Sequence, residues 1–281
     1  MGCDTSTLLN GRPGTLIDAT DRGFQYGDGV FTTLRVENGI PLFFQEHFHR
    51  LARDAALLRL PLPDFALLRH EAGILSNQCS SGILKIQWTR GIGGRGYLPP
   101  ADPEPTRFLI LRPFSPLGEG LSKAWNLKTA SLRLGICPQL AGAKHMNRLE
   151  QILARQEWPD PSIDEVLLLD SEGYVVEGSS TNLFLFHDGV LITPRLDRAG
   201  VRGVLRDIVL GYAEKYGMPV RQDRVRPEQL LEATELVLTN SVRGICPVAR
   251  LDAHDFNSNE IALKLHAWYQ EALSVTRKVW Q

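Results

Sequence analysis

Glu177 and the glycine turn at Gly203 are the features of this chain whose residue types and spacing first suggest chemistry. The run reads Glu177-Gly-Ser-Ser-Thr-Asn182-Leu-Phe184, then Leu191-Ile-Thr193, then Val201-Arg202-Gly203-Val204-Leu205-Arg206. A carboxylate near the end of a strand can hold a protonated ring nitrogen. Helix-initial N–H groups at Gly203, Val204 and Leu205 can hold a phosphate, because they lack partners within their own helix and lie at the positive end of its dipole. Alone, such a glycine turn is a plain loop before an amphipathic helix. The spacing from Glu177 through Asn182 and Thr193 to Arg206 tips the balance toward a site with one anionic and one cationic half.

These residues need strands and a helix to position them. Period-two apolar positions over residues 174–186 and a break at Asp188-Gly189 predict strands joined by a hairpin, and from Gly200 the pattern turns helical. Upstream, residues 7–11 read as a short strand into a turn and residues 14–18 as another strand. After Asp21-Arg22-Gly23 and the glycines at 27 and 29, alternation puts Phe31, Thr33 and Arg35 on one strand face and Thr32 and Leu34 on the other. Residues 46–58 follow a helical pattern with apolar Phe48, Leu51, Ala55, Leu57 and Leu58, and a second helix covers 63–76. Strands are expected over 82–89, 108–111, 126–133, 219–225 and 235–239. Helices are expected from Asn147, from Gly200 to about Tyr216, from Pro227, and over 258–278. The proline- and glycine-dense run at 113–120 marks a linker. It is placed at 115–120, between a first domain at 1–114 and a second at 121–281.

With 281 residues, the chain can bury a sizeable core and form two domains. Hydrophobic residues make up 43% and charged residues 22%, as in an ordinary soluble globular protein. The formal net charge of -1 gives no global bias toward nucleic acid or an anionic membrane, so local cations require local ligands. Cys3, Cys79, Cys137 and Cys246 form neither a CxxC pair nor a zinc-like cluster, and reduced thiols in a cytoplasmic protein are expected, with no metal. No apolar run approaches a membrane span, and no charged leader with an apolar core is present. Met1-Gly-Cys-Asp-Thr-Ser6 matches a lipidation pattern, but no polybasic segment follows to support it.

The segment from Glu177 to Arg206 resembles the signature of class IV pyridoxal-phosphate enzymes, a group of branched-chain aminotransferases, D-amino-acid aminotransferases and aminodeoxychorismate lyases. Three further motifs agree with it. Gly27-Asp-Gly-Val-Phe31 matches a strand that lines the substrate pocket in the group. By pattern alone, Arg50 is a solvated helix residue and Lys144 an exposed lysine. The resemblance instead implies that Arg50, in His47-x-x-Arg50-Leu51, contacts the cofactor phosphate, and that His47 is structural. It implies that Lys144, in Lys144-His-Met-Asn-Arg-Leu-Glu-Gln151, is the Schiff-base lysine. Val204, Leu205, Asn240 and Ser241 carry over as further phosphate contacts, and Glu177 as the partner of the pyridine nitrogen.

Within the group, Arg90-Gly-Ile-Gly-Gly-Arg95-Gly-Tyr97 looks like the lyase branch. A D-amino-acid aminotransferase is expected to carry an Arg-x-His pair there, but Tyr97 stands two residues after Arg95. Branched-chain enzymes generally have a tyrosine five residues after the lysine, where this chain has Leu149. Glu177-Gly-Ser-Ser is also found among D-amino-acid aminotransferases and favours neither branch. The resemblance therefore implies an aminodeoxychorismate lyase using pyridoxal 5'-phosphate. Phe31, Thr33, Arg95 and Tyr97 are pocket candidates, Arg95 being the first cation for a dianionic substrate. The implied fold is α+β, with a smaller N-terminal α/β sandwich, a larger C-terminal domain around a barrel-like sheet with flanking helices, and a homodimer. A D-amino-acid or branched-chain aminotransferase, or a non-catalytic binding protein, are the alternatives.

Overall fold

The computed structural model describes residues 4–77, 79–115 and 120–280. Residues 116–119 of the expected linker and 1–3 of the lipidation pattern lie outside the described residues. The chain divides into two compact units. The first comprises Met1–Pro116, Ala143–Asn147 and Leu273–Gln281, and the second Leu117–Gly142 and Arg148–Ala272. Lys144 thus groups with the first unit, although it follows the expected linker in sequence.

The first unit contains β1 (Ser6–Leu9), β2 (Arg12–Pro13), α1 (Arg22–Tyr26), β3 (Gly29–Glu37), β4 (Ile40–Pro41), α2 (Phe44–Leu57), α3 (Phe65–Ser76), β5 (Ser81–Thr89) and β6 (Arg107–Pro113). Its antiparallel sheet has the order β2-β1-β6-β5-β3-β4. Successive side chains of a strand point to opposite faces. Val30, Leu34 and Val36 accordingly pack with Leu84, Ile86, Leu109 and Leu111 in a core shared with Leu51, Ala55, Leu68 and Ala72. Phe31 and Thr33, on the other face of β3, stay half-buried. Residues 14–18 form no strand, and β2 is only the pair Arg12–Pro13. Leu16 in that stretch is 90% exposed, so its apolar residues have no core to face.

The second unit begins with β7 (Trp125–Leu134), α4 (Leu149–Gln156), β8 (Glu165–Asp170), β9 (Val175–Gly178), β10 (Asn182–His187) and β11 (Val190–Pro194). There follow α5 (Val204–Lys215), β12 (Val220–Asp223), α6 (Pro227–Leu231), β13 (Glu235–Asn240), β14 (Gly244–Leu251), β15 (His254–Asp255) and α7 (Glu260–Trp280), whose residues from Leu273 group with the first unit. The curled mixed sheet runs β12-β11-β10-β13-β14-β7-β8-β9, with β15 against β14. The pairs β11–β12, β14–β7 and β7–β8 are parallel.

Every residue of β8 is buried, with Leu167 and Leu169 in one cluster and Val166 and Leu168 in another. A strand covered on both faces has no alternation to betray it. The β10–β11 hairpin turns at Asp188 and Gly189, both at positive φ as a two-residue hairpin turn requires. The expected α+β class holds for both units. Helix α4 forms where the helical pattern after Asn147 places it, with Leu149, Ile152 and Leu153 exposed and only Ala154 buried.

Among the described residues no helix is long and apolar enough to cross a membrane, and no cluster of metal-ligating side chains occurs. Cys137 and Cys246 are free thiols. Cys79 is disulfide-bonded, which corrects the expectation of reduced thiols throughout.

Candidate active site

Lys144 is held by its main chain. Its N–H donates to Asp54 Oδ2 at 2.9 Å, and its carbonyl accepts from Phe31 N at 3.0 Å. Met146 N donates to the Gly29 carbonyl at 2.9 Å, so residues 144–146 lie along the start of β3. The glycines there permit close approach. A Cβ on Gly27, at φ +66°, would lie 2.5 Å from Asn147 Oδ1, and one on Gly29 would lie 2.8 Å from Met146 Sδ. With the backbone fixed, the Lys144 ammonium sits 4.6 Å from the centroid of the Phe31 ring. A cation over an aromatic face is favourable.

Arg50 and His47 project from α2 into the same unit. Arg50 is 7% exposed, against the surface position that its helical context alone suggests. Arg50 Nη2 donates to Thr32 Oγ1 at 2.7 Å, and Thr32 Oγ1 lies 2.6 Å from His47 Nδ1. Because the guanidinium can only donate, the threonine hydroxyl has its own proton free for His47 Nδ1. That arrangement needs a neutral imidazole accepting at Nδ1. Burial first, then the charges of Arg50 and Lys144, hold the His47 pKa well below its usual value.

The unfolded chain therefore binds a proton near pH 6.5 that the folded chain refuses. The corresponding stability is complete above that pH and is lost as pH falls below it. In urea unfolding, the wild type should lose stability relative to His47→Gln by about 1.4 kcal/mol per pH unit below roughly 6.5. Parallel pH profiles for the two proteins would show that the ring is protonated in the fold.

In the second unit, Glu177 is 4% exposed at the end of β9. Its Oε2 accepts from Val201 N at 2.9 Å and from Asn182 Nδ2 at 3.3 Å. Asn182 also donates to the Val201 carbonyl at 2.8 Å and accepts from Gly203 N at 3.0 Å. One amide side chain thereby fixes both the carboxylate and the N-cap of α5, whose first residues Val204 and Leu205 are buried. Thr193 Oγ1 donates to the Leu183 carbonyl at 2.8 Å, and Arg206 reaches Thr193 Oγ1, the Pro194 carbonyl and Gln222 Oε1. The regular spacing in the sequence is therefore a bracing network around the α5 turn.

A Cβ on Gly203 would fall 2.1 Å from Asn182 Oδ1. The amide could yield only by giving up its three hydrogen bonds. Gly203→Ala is expected to lower stability by about 1–3 kcal/mol, as overpacking does, and to loosen cofactor retention. Thermal unfolding with and without added cofactor measures both, and an unchanged melting temperature would refute the bracing role.

Asn240 ends β13 and Ser241 follows it. Asn240 Nδ2 donates to the Ser180 carbonyl at 2.6 Å, and its Oδ1 accepts from Val242 N at 2.7 Å and Arg243 N at 3.1 Å. Ser241 is half-buried in that turn. Arg95 and Tyr97 lie in an exposed loop of the first unit, where Tyr97 makes an edge contact with Tyr26 at 5.8 Å.

Two positioning residues escaped the sequence reading. Asp54 sits one helical turn after Arg50 and is 1% exposed; a buried carboxylate amid an apolar helix face was the available signal. Glu165, 2% exposed, accepts from Ser179 N, Ser180 N, Ser180 Oγ at 2.8 Å, Thr181 Oγ1 and the Ser179 hydroxyl. Inside an apolar strand that also went unrecognised, it carried no spacing signal.

Known proteins resemble this chain in sequence and fold. Residues 29–251 match the model of the family described as amino-transferase class IV. A 4-amino-4-deoxychorismate lyase structure from Pseudomonas aeruginosa superposes with a TM-score of 0.89 at 41% identity, covering 94% of this chain and 98% of that one. An aminodeoxychorismate lyase of Vibrio harveyi is 35% identical over 87% of this chain and 91% of its own length. A D-alanine aminotransferase of Bacillus licheniformis is 29% identical over 89% and 90%. The chain belongs to the class IV aminotransferase family, whose members work with pyridoxal phosphate.

Proposed function

We propose that this chain converts 4-amino-4-deoxychorismate to 4-aminobenzoate and pyruvate, as a pyridoxal-phosphate-dependent carbon–oxygen lyase supplying folate synthesis. The likeness at 41% identity to the Pseudomonas aeruginosa lyase carries this reading. The loop Arg90-Gly-Ile-Gly-Gly-Arg95-Gly-Tyr97 supports it over the aminotransferases.

The residues fit the cofactor on two observations. Arg50 is a buried cation beside a neutral imidazole, a setting that suits a phosphate. Glu177 is a buried carboxylate braced by Asn182, next to a helix opening where even a methyl group on Gly203 would collide. Lys144 would bind the aldehyde through Nζ. Arg50, the N–H groups of Val204 and Leu205, Asn240 and Ser241 would hold the phosphate, and Glu177 would keep the ring nitrogen protonated. When bound, pyridoxal phosphate supplies an electron sink for negative charge at the carbon bearing the substrate amine.

With the substrate amine bound in its place, Lys144 Nζ would be a free base able to take the proton from C4 of the substrate. The bond from the neighbouring ring carbon to the enolpyruvyl oxygen breaks, the ring becomes aromatic, and enolpyruvate gains a proton to become pyruvate. Aromatisation drives the step. Arg95 would meet a substrate carboxylate, with Phe31, Thr33 and Tyr97 as neighbours. The working form is a cytoplasmic homodimer in this reading.

Supplying aminodeoxychorismate and following 4-aminobenzoate and pyruvate tests the proposal, with equal amounts expected. The Bacillus licheniformis relative supports a second reading, transamination of D-amino acids. D-Alanine without an oxo acid separates the two: a transaminase converts the bound cofactor to its amine form, with an absorbance shift, and a dedicated lyase does not.

A further inference from the structure

Arg22 is a cation almost wholly withdrawn from water, with a side chain 3% exposed, and no step above uses it. Its main-chain N–H donates to the Gly91 carbonyl at 2.9 Å. Its guanidinium donates to the carbonyls of Gly96 at 3.0 Å and Tyr97 at 3.1 Å. One residue therefore grips both ends of the Gly91 to Tyr97 loop. The loop also closes around the guanidinium, for a Cβ on Gly94 would lie 3.6 Å from Nη1.

The remaining contacts fix the grip itself. Arg22 Nε donates to Asp28 Oδ2 at 2.8 Å, and Asp28 also receives Arg90 Nε at 2.7 Å and Nη2 at 3.0 Å. Arg90 in turn donates to the carbonyls of Leu58 and Arg59. Tyr26 lies under the Arg22 guanidinium at 4.9 Å and meets the Tyr97 ring edge-on. The loop needs such a fastening, because Gly91, Gly93, Gly94 and Gly96 all adopt positive φ and glycine loses the most freedom on ordering.

We propose that Arg22 is a positioning residue that clasps the Gly91 to Tyr97 loop and so holds Arg95 in place for an anionic substrate. The clasp stands on geometry alone, and the part played by Arg95 rests on the function proposed above. Lysine at 22 can keep the charge and the pairing with Asp28. It has no planar fork to bind two carbonyls and a carboxylate at once.

Two measurements on the holoenzyme test this. Trypsin cuts after arginine, and Arg95 is exposed. Arg22→Lys should speed cleavage at Arg95 about tenfold while cleavage elsewhere stays constant, since opening a loop by one factor of ten raises local proteolysis equally. Unchanged cleavage overturns the clasp, whatever the reaction proves to be.

In turnover of aminodeoxychorismate, Arg22→Lys should raise KM about tenfold with kcat within about twofold, the pattern of lost uniform binding. Added to Arg95→Ala, it should raise KM little further, because both changes remove the same contact. Fully additive effects, or a fall in kcat with KM unchanged, overturn the positioning role. A wild type that forms no 4-aminobenzoate sinks the functional reading, and the cleavage experiment then decides the clasp by itself.

Discussion

Lys144→Ala is expected to abolish the visible absorbance of the lysine-bound cofactor and to lower 4-aminobenzoate formation by about 10⁴-fold or more, since both the covalent attachment and the base at the reacting carbon are lost. The structure predicts that the fold survives. Segment 144–146 is held by main-chain bonds to Phe31 and Gly29 and by Asp54 Oδ2, none of which involves the ammonium. The side chain contributes its contact with the Phe31 ring, about 0.5–2 kcal/mol. Far-ultraviolet circular dichroism and urea unfolding should therefore change little while absorbance and turnover vanish together. Retention of either signal at wild-type level would show that the amine at 144 is not the point of attachment.

Glu177→Gln is the second large effect. Glu177 Oε2 accepts from Val201 N and Asn182 Nδ2, and a glutamine oxygen can accept both bonds in the same place. The shape of the α5 turn is thus kept and only the negative charge goes. On the proposed placement of the cofactor, a neutral amide at 177 would no longer hold the ring nitrogen protonated, and the electron sink would weaken. Turnover should fall by about 10²–10³-fold, the usual scale for removing one preorganised electrostatic partner. The cofactor should remain bound, because the residues proposed to hold its phosphate are others. A larger loss in Glu177→Asp than in Glu177→Gln would argue that position matters more than charge, and unimpaired turnover in Glu177→Gln would remove the residue from the reaction.

Much of this was written in local pattern. The β10–β11 hairpin was legible from its Asp188-Gly189 turn, and β3 from the alternation of half-buried Phe31 and Thr33 with buried Thr32 and Leu34. The span from Glu177 to Arg206 was legible from its spacing: Glu177, Val201 and Gly203 meet through Asn182, and Thr193 pairs with Arg206 beside them. Strand β8 was not legible, since both faces are covered, and neither was β14, which carries Pro247 within it. The exposed apolar row of α4 reads in sequence like any core-facing stripe. Asp54 was missed for a different reason: its partner, the main-chain N–H of Lys144, lies ninety residues away and has no side-chain signature. Local sequence carries propensity and period, whereas such a long-range bond is decided by how the chain closes on itself.

Because hydrogen bonds grip position 144 at both its N–H and its carbonyl, the four-carbon arm beyond it swings about a fixed pivot, and its tip reaches only the arc that the arm's own length allows. Any hydrogen picked up on that arc must be set down on it too. The reach of one side chain would then select which atoms of a bound molecule can exchange hydrogen through it, so lengthening or shortening that arm by a single methylene should alter which products form before it alters how tightly anything binds.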